Sequence, residues 1–239
     1  MRALILAAGL GTRLRPLTET VPKCLVPING KPLLDYWFEL FLSSGAIDRV
    51  LVNTSYLADT VRDHVEANRW SARVDLVHET ELLGTGGTVL ANRTWFGVGP
   101  FIVVHGDNLT CFDVNAFIER HRRRPPGVEI TMMTFATDTP SSCGIVETDA
   151  SGIVVGFHEK VADPPGNDAN GAVYIFEPSV LEFLASLGKP VIDISTELLP
   201  KFLGKICVFR DVLYLRDIGT IESLRKAESE YPALRIRNS

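Results

Sequence analysis

The chain has 239 residues, enough for one large α/β domain with its own core. A hydrophobic share of 46%, a charged share of 22% and a net charge of −5 describe an ordinary globular protein and argue against a broad nucleic-acid surface. No apolar run approaches the roughly 20 residues of a membrane span, and Met1-Arg2 leads straight into an apolar run with no signal peptide, so a cytoplasmic protein is expected.

Residues 3–7, Ala-Leu-Ile-Leu-Ala, read as a buried parallel strand broken by Gly9 and Gly11. Arg13, Arg15, Lys23 and Lys31 follow in a segment punctuated by Pro16, Pro22, Pro27 and Pro32. Proline fixes φ and removes a donor, so no single regular helix runs through it. An apolar helix is expected over 33–44, ended by Gly45, then a strand over 49–53. A helix over 57–68 carries Val61 and Val65 on one face, and a third strand spans 74–78. Residues 82–87 form a glycine loop, 88–93 a helix, and 101–105 a strand that ends at Gly106-Asp107-Asn108. Strands alternating with helices imply a Rossmann-like sheet, mixed but mainly parallel and flanked by helices. Such sheets bind ligands beyond the carboxyl ends of their strands. The opening loop, Gly84 and Asp107 all follow strands and are expected at that edge.

The second half changes character. Residues 128–135, 144–148, 153–158 and 172–176 are strand-like, with turns such as 149–152 between them. Helices are expected over 178–187, 195–203 and 220–230. No Gly-, Ser- or Pro-rich linker divides the chain, so residues 1–239 are expected to form one domain. Cys24, Cys111, Cys143 and Cys207 form no Cys-x-x-Cys pair and read as reduced thiols. The five histidines show no metal-ligand spacing. His121-Arg122-Arg123-Arg124 reads as a solvated helix end, where cations suit the dipole. The helix face over 33–42 is either core or a surface for a homo-oligomer.

A strand, a glycine turn and fixed cations suggest a grip on a polyphosphate. It is not a P-loop, since no G-x-x-x-x-G-K-[ST] occurs. It is not a dinucleotide fingerprint either, since Leu14 stands where the third glycine belongs. The longer string G-L-G-T-R-L-R-P-L-T followed by V-P-K-C-L-V-P-I resembles the signature of the sugar-1-phosphate nucleotidyltransferases, and mannose-1-phosphate and heptose-1-phosphate guanylyltransferases in particular. The resemblance runs through most of the chain. It implies a GT-A-like nucleotidyltransferase fold in which residues 1–110 are mainly nucleotide-binding and 111–239 form a β-rich, mainly sugar-binding subregion with a closing helix. A C-terminal β-helix domain, carried by many relatives, is not expected.

The implied reaction joins a nucleoside triphosphate to a sugar 1-phosphate and releases pyrophosphate. Such a transfer depends on positioning and charge neutralisation. The attacking phosphate oxygen is already anionic, so no general base is needed, and the chain has no G-x-S-x-G motif. Arg13 is the candidate for the pyrophosphate, because its planar fork suits phosphate. The family signature makes Lys23 the candidate for the α-phosphate and the sugar phosphate. Asp107 in G-D-N and Asp217 in D-I-G-T resemble the family's pair of Mg²⁺-holding aspartates, although Asp107 alone could cap a turn and Asp217 a helix. Arg15 and Lys31 read as structural or surface charges.

The string 81–87, E-L-L-G-T-G-G, resembles the family's base loop. Ala8, Gly9, Gly11, Thr12 and Gly84 would face the nucleotide, with Glu79 either a guanine or ribose contact or merely exposed. Thymidylyl-transferring members tend to carry a glutamine in that loop, and this chain has no Gln at all, which favours GTP. For the sugar phosphate, Gly144, Glu159, Lys160 and Asn170 stand in strings resembling the family's aromatic-Gly-Val-Val, F-x-E-K and N-A-G-I-Y, and Asn108 is added from G-D-N. By itself a Glu-Lys pair at a strand end is a solvated turn. Cys143, Val161 and the order Gly171-Ala172 depart from the family pattern and leave the sugar open. The alternatives are a uridylyltransferase acting on an amino-sugar or N-acetylmuramic acid 1-phosphate, and a non-catalytic nucleotide-sugar-binding regulator. A metal-dependent glycosyltransferase would want Asp-x-Asp where this chain has Asp107-Asn108-Leu109.

Overall fold

The structure is a computed structural model that describes residues 1–237, with side chains described through residue 231. Strand β1 (Arg2–Leu6) opens the chain, and three single 3-10 turns follow at Thr12–Leu14, Leu17–Glu19 and Lys23–Leu25. No regular helix forms there, as the prolines require. Next come β2 (Pro27–Ile28), β3 (Lys31–Pro32), α1 (Leu33–Leu42), β4 (Arg49–Thr54), α2 (Ala58–Glu66) and β5 (Val74–His78). The middle of the chain holds α3 (Gly84–Ala91), α4 (Arg93–Phe96), β6 (Phe101–His105), β7 (Asn108–Phe112) and α5 (Val114–Arg122). Then follow β8 (Ile130–Ala136), β9 (Gly144–Thr148), β10 (Val154–Glu159), β11 (Asp168–Phe176) and α6 (Ser179–Ser186). After a π turn at Ile194–Leu198 come β12 (Ile206–Phe209), β13 (Val212–Asp217) and α7 (Ile221–Arg237). The architecture is α/β, with parallel and antiparallel strands and flanking helices.

The chain divides into two compact units, each made of separate stretches. One, called here the parallel unit, takes Arg2–Glu81, His105–Val114 and Leu213–Ser239. In it β4 pairs in parallel with both β1 and β5, with Leu4 opposite Leu51 and Leu51 opposite Asp75. Arg49 ties the outer pair through a two-pronged contact to Asp75, at 2.8 and 2.6 Å. Helix α1 buries Leu33, Leu34, Tyr36, Trp37, Phe38, Phe41 and Leu42, so its apolar face is core. A second cluster gathers Leu14, Val26, Ile28, Leu109, Ile218 and Leu224. The opening segment, β7, β13 and α7 therefore share one floor of buried side chains, which fixes the loop that precedes Leu14.

The antiparallel unit takes Met1, Leu82–Val104 and Asn115–Val212. Its strands β9, β8 and β6 each pair antiparallel with β11, and β10 pairs antiparallel with β9. Strand β12 adds a parallel edge to β8. Phe101 stacks on Phe96 at 4.0 Å and meets Phe176 edge-on at 5.8 Å.

Three elements differ from the reading of the sequence. The glycines over 84–87 are not a loop; they begin α3. Gly86 N–H donates to the Ile192 carbonyl at 2.8 Å, and Ile192 N–H donates to the Leu83 carbonyl at 3.0 Å. A Cβ on Gly86 would lie 2.9 Å from Ile192 Cγ2, and one on Gly87 would run into the Pro190 carbonyl oxygen. The glycines serve close approach of backbone to backbone. The expected helix over 195–203 is a π turn followed by a 3-10 turn at Leu199–Lys201, because Pro200 supplies no N–H to continue it. Strand β11 begins at Asp168, four residues before 172, and its register shifts between Asn170 and Tyr174 where Ala172 takes φ 53°. A polar start and an irregularity hid it. Contrary to the expectation from the sequence, the stretch 121–124 is not solvated throughout. His121 is buried, with Nδ1 2.8 Å from Thr131 Oγ1 and Nε2 2.9 Å from Glu177, and Arg124 lies 2.5 Å from the same Glu177. Only Arg122 and Arg123 are solvated.

Candidate active site

The opening loop of the parallel unit is shaped by Gly11. Its φ of 62° is left-handed, and a Cβ there would lie 3.0 Å from Thr18 Cγ2 and 3.1 Å from Lys23 Cβ. Thr18 Oγ1 donates to the Gly11 carbonyl at 2.7 Å, closing the chain from 11 to 18. Glycine is thus required both by the turn and by the closeness of Lys23. Gly9, Leu10, Thr12 and Arg13 are exposed on the loop, whereas Ala8 is buried at its base.

Two remote stretches bring the aspartates to this loop. Gly106 N–H donates to the Leu6 carbonyl at 2.8 Å, and a Cβ on Gly106 would sit 2.7 Å from Ile5 Cγ2. Asp107 is therefore pressed against the end of β1. Strands β7 and β13 form a two-stranded sheet. Ile218 N–H donates to the Asp107 carbonyl at 2.9 Å, and Thr110 Oγ1 donates to the Tyr214 carbonyl at 2.8 Å. That pairing sets Asp217 beside Asp107 although 110 residues separate them in the chain.

Lys23 joins the pair. Its Nζ lies 2.6 Å from Asp107 Oδ2 and 3.6 Å from Asp217 Oδ1. The lysine side chain is only 10% exposed, the Asp107 side chain 35%. Arg13 Nη2 lies 3.9 Å from Asp217 Oδ2, with the arginine 68% exposed. A Cβ on Gly219 would lie 2.9 Å from Arg13 Nη2, so the glycine of D-I-G-T leaves room for the guanidinium. Burial alone would push the Asp107 carboxyl up, but the charges of Lys23 and His105 and the Lys23 hydrogen bond outweigh it and hold the group below the usual carboxylate range. Asp217 is shifted up, by burial first and then by the Asp107 charge, which Lys23 and Arg13 offset only in part.

Glu79 is buried and not merely exposed. Its Oε1 accepts from Asn53 Nδ2 at 3.1 Å, and Asn53 Oδ1 accepts from Ala7 N–H at 2.7 Å. Asn53, which the sequence reading passed over, fastens the start of the loop to β4. A lone amide ending an otherwise apolar strand was its only signal. Asn108, next in the chain to Asp107, is buried at the start of β7. Lys31 pairs with Glu39 at 2.5 Å and lies over the Tyr36 ring at 4.4 Å, so it is structural.

The antiparallel unit holds the remaining candidates. Glu159 stands opposite Gly144 in the register of β10 and β9. A Cβ on Gly144 would lie 2.6 Å from Glu159 Oε2, so glycine makes room for the carboxylate. Lys160 takes φ 50°, its N–H donates to the Cys143 carbonyl at 3.1 Å, and its Nζ lies 3.3 Å from Glu159 Oε1. Asn170 Nδ2 donates to Tyr174 Oη at 2.7 Å, and its Oδ1 accepts from Ala172 N–H at 2.9 Å. The Tyr174 phenol is pushed far up by complete burial, with Glu159 and Asp193 near enough to add to the effect. Gly84 packs at φ 72° with its Cβ position 2.5 Å from the Ile192 carbonyl oxygen. That contact explains the glycine without a ligand.

Among the described residues, no group of three or more His, Cys, Asp or Glu side chains is placed to hold a metal. Two carboxylates still fit Mg²⁺, which is commonly held by one or two of them together with waters and substrate phosphates. Among the described residues no disulfide joins any of the four cysteines, and burial pushes Cys24 up to about 12. Among the described residues no helix is long and apolar enough to cross a membrane.

Residues 2–233 match the family described as "Nucleotidyl transferase". A mannose-1-phosphate guanylyltransferase catalytic subunit beta of Drosophila pseudoobscura pseudoobscura is 36% identical over 185 residues, 76% of this chain and 49% of that protein. A UTP–glucose-1-phosphate uridylyltransferase of Synechocystis sp. is 32% identical over 217 residues, 85% of this chain and 55% of the relative. The chain thus spans about half the length of these curated relatives. The crystal structure of HddC from Yersinia pseudotuberculosis complexed with GMP-PN superposes with a TM-score of 0.79 at 30% identity, covering 96% of this chain and 99% of that one. The loop with its lysine and paired aspartates, the fold and the match over nearly the whole sequence agree: the chain belongs to the nucleotidyl transferase family, with its GT-A-like fold.

Proposed function

We propose that the chain transfers a nucleoside monophosphate, from GTP in the first place, to a mannose- or heptose-like sugar 1-phosphate, giving the nucleotide sugar and pyrophosphate. The observation that carries this reading is Lys23 held 2.6 Å from Asp107 and 3.6 Å from Asp217 at the foot of an exposed glycine loop. A phosphate oxygen of the sugar 1-phosphate attacks the α-phosphorus, and the bond to the pyrophosphate oxygen breaks. Lys23 presents a compact positive charge to the phosphates. Arg13, exposed and planar, holds the departing pyrophosphate. Ala8, Gly9, Gly11 and Thr12 offer backbone groups to the nucleotide, and Asn53 with Glu79 keeps that backbone in place. Asp107 and Asp217 are the residues that would hold Mg²⁺, whose charge, when bound, offsets that of the phosphates. Gly144, Glu159, Lys160 and Asn170 are assigned to the sugar phosphate, with Glu159 accepting from hydroxyls.

Guanylyl transfer is favoured by the Drosophila relative's name, by GMP-PN in the HddC structure and by the absence of glutamine. Uridylyl transfer is the second reading, favoured by the Synechocystis relative's name. Four nucleoside triphosphates tested against a set of sugar 1-phosphates, followed by pyrophosphate release, separate the two. Binding of a nucleotide sugar without any release of pyrophosphate would instead identify a non-catalytic regulator and end this reading. A cytoplasmic setting, suggested by widely spaced cysteines that form no Cys-x-x-Cys pair, belongs to the proposal.

A further inference from the structure

The aspartate pair already has a cation. Lys23 Nζ reaches both carboxylates, at 2.6 and 3.6 Å. The lysine is not a loose surface group that has fallen onto an acid. Its backbone lies in the 3-10 turn Lys23–Leu25, Leu25 N–H donates to the Pro22 carbonyl at 2.8 Å, and its Cβ abuts Gly11. Buried neighbours Cys24, Leu25 and Val26 hold the turn down. The backbone and Cβ of the lysine are therefore fixed in place. An ammonium and a divalent cation cannot share the same pair of carboxylates without strong repulsion.

We propose that Lys23 is the internal counter-ion of Asp107 and Asp217, and that a divalent cation binding to these aspartates displaces its ammonium towards the loop. The inference rests on the functional reading above for the metal, and adds that metal and lysine compete. Binding linkage makes the competition reciprocal: the factor by which the lysine weakens the metal is the factor by which the metal weakens the lysine pair. The displaced ammonium, still anchored beside Gly11, is then the group that a phosphate meets. The aspartates thus keep Lys23 neutralised until a metal arrives.

The test needs no turnover. Mn²⁺ binding to the nucleotide-free chain is measured by electron paramagnetic resonance for the native protein and for Lys23→Met. The variant is expected to bind Mn²⁺ about tenfold more tightly, within the range usual for coupled sites. Equal or weaker binding overturns the proposal. Should Lys23→Met not fold, the native chain gives the same answer: amine-labelling of Lys23, read by peptide mass spectrometry, is expected to rise about tenfold as Mg²⁺ is added. Labelling that stays level or falls overturns the proposal. Pyrophosphate release by the native protein is a separate measurement, so failure of the competition and failure of the functional reading are told apart.

Discussion

In the parallel unit the polar groups around the opening loop are charged and offset one another. Lys23 lies 2.6 Å from Asp107, and Arg13 leans towards Asp217 at 3.9 Å. In the antiparallel unit one ion pair stands among neutral contacts: Lys160 lies 3.3 Å from Glu159 and its N–H donates to the Cys143 carbonyl, while Asn170 is held by a tyrosine hydroxyl and a backbone N–H. The contrast suits the two kinds of partner assigned to them. Polyphosphate needs concentrated charge whose place is fixed beforehand. Sugar hydroxyls need oriented hydrogen bonds, each worth about 0.5–1.5 kcal/mol net. The two regions should therefore respond very differently to the loss of one group.

The sharpest way to break that contrast is Asp107→Asn. It keeps the shape, removes the charge that Lys23 faces, and is expected to lower turnover by about 10³-fold with the melting temperature little changed, as pyrophosphate release and thermal unfolding will tell. A loss under about tenfold would show that charge at this position does not set the rate. Glu159→Gln should be milder. We expect KM for the sugar phosphate to rise about tenfold, with KM for the nucleotide within about twofold of native. Equal rises in both would erase the division of roles between the units.

Acid offers the smallest and most gradual separation. Burial first, and the Arg124 charge second, push the His121 imidazole down to about 4, against 6.5 for the ordinary group. The unfolded chain then binds more protons than the folded one between those values. The stability that the neutral imidazole brings is complete above pH 6.5 and is lost as the pH falls towards 4. Hydrogen exchange followed from pH 7 to pH 5 should show protection falling first around α5, β8 and β11. Uniform loss over both units would remove His121 from the account.

Much of this was legible in the sequence, for local reasons. The strands at Val74–His78, Phe101–His105 and Gly144–Thr148 begin and end where the sequence places them, because short apolar runs there meet polar or glycine boundaries. Strands β7 and β13 were not legible. Asn108–Phe112 interleaves polar and apolar residues, and the Val-Leu-Tyr-Leu run of Val212–Asp217 has no adjacent glycine or proline to bound it; the two become a sheet by meeting each other. That meeting sets Asp217 beside Asp107, so the family signature pointed to both aspartates while the strands joining them stayed hidden. The glycines over 84–87 misled in the other direction. Their need is the passage of Pro190 and Ile192, a hundred residues on, which no local pattern records. Asn53 escaped because nothing in an isolated strand tells that its amide will meet the Ala7 N–H.

The interleaving of the two units has a consequence for how the chain is made. The antiparallel unit includes no residue after 212, whereas the parallel unit takes its last stretch from Leu213–Ser239. During synthesis the ribosome delivers Lys23 and Asp107 long before Asp217, and β7 waits for β13 to emerge. A nascent chain stalled before that point carries the loop and the lysine but only half of the acidic pair. Assembly of the charged cluster is thereby postponed until the stretch that follows residue 212 has left the ribosome.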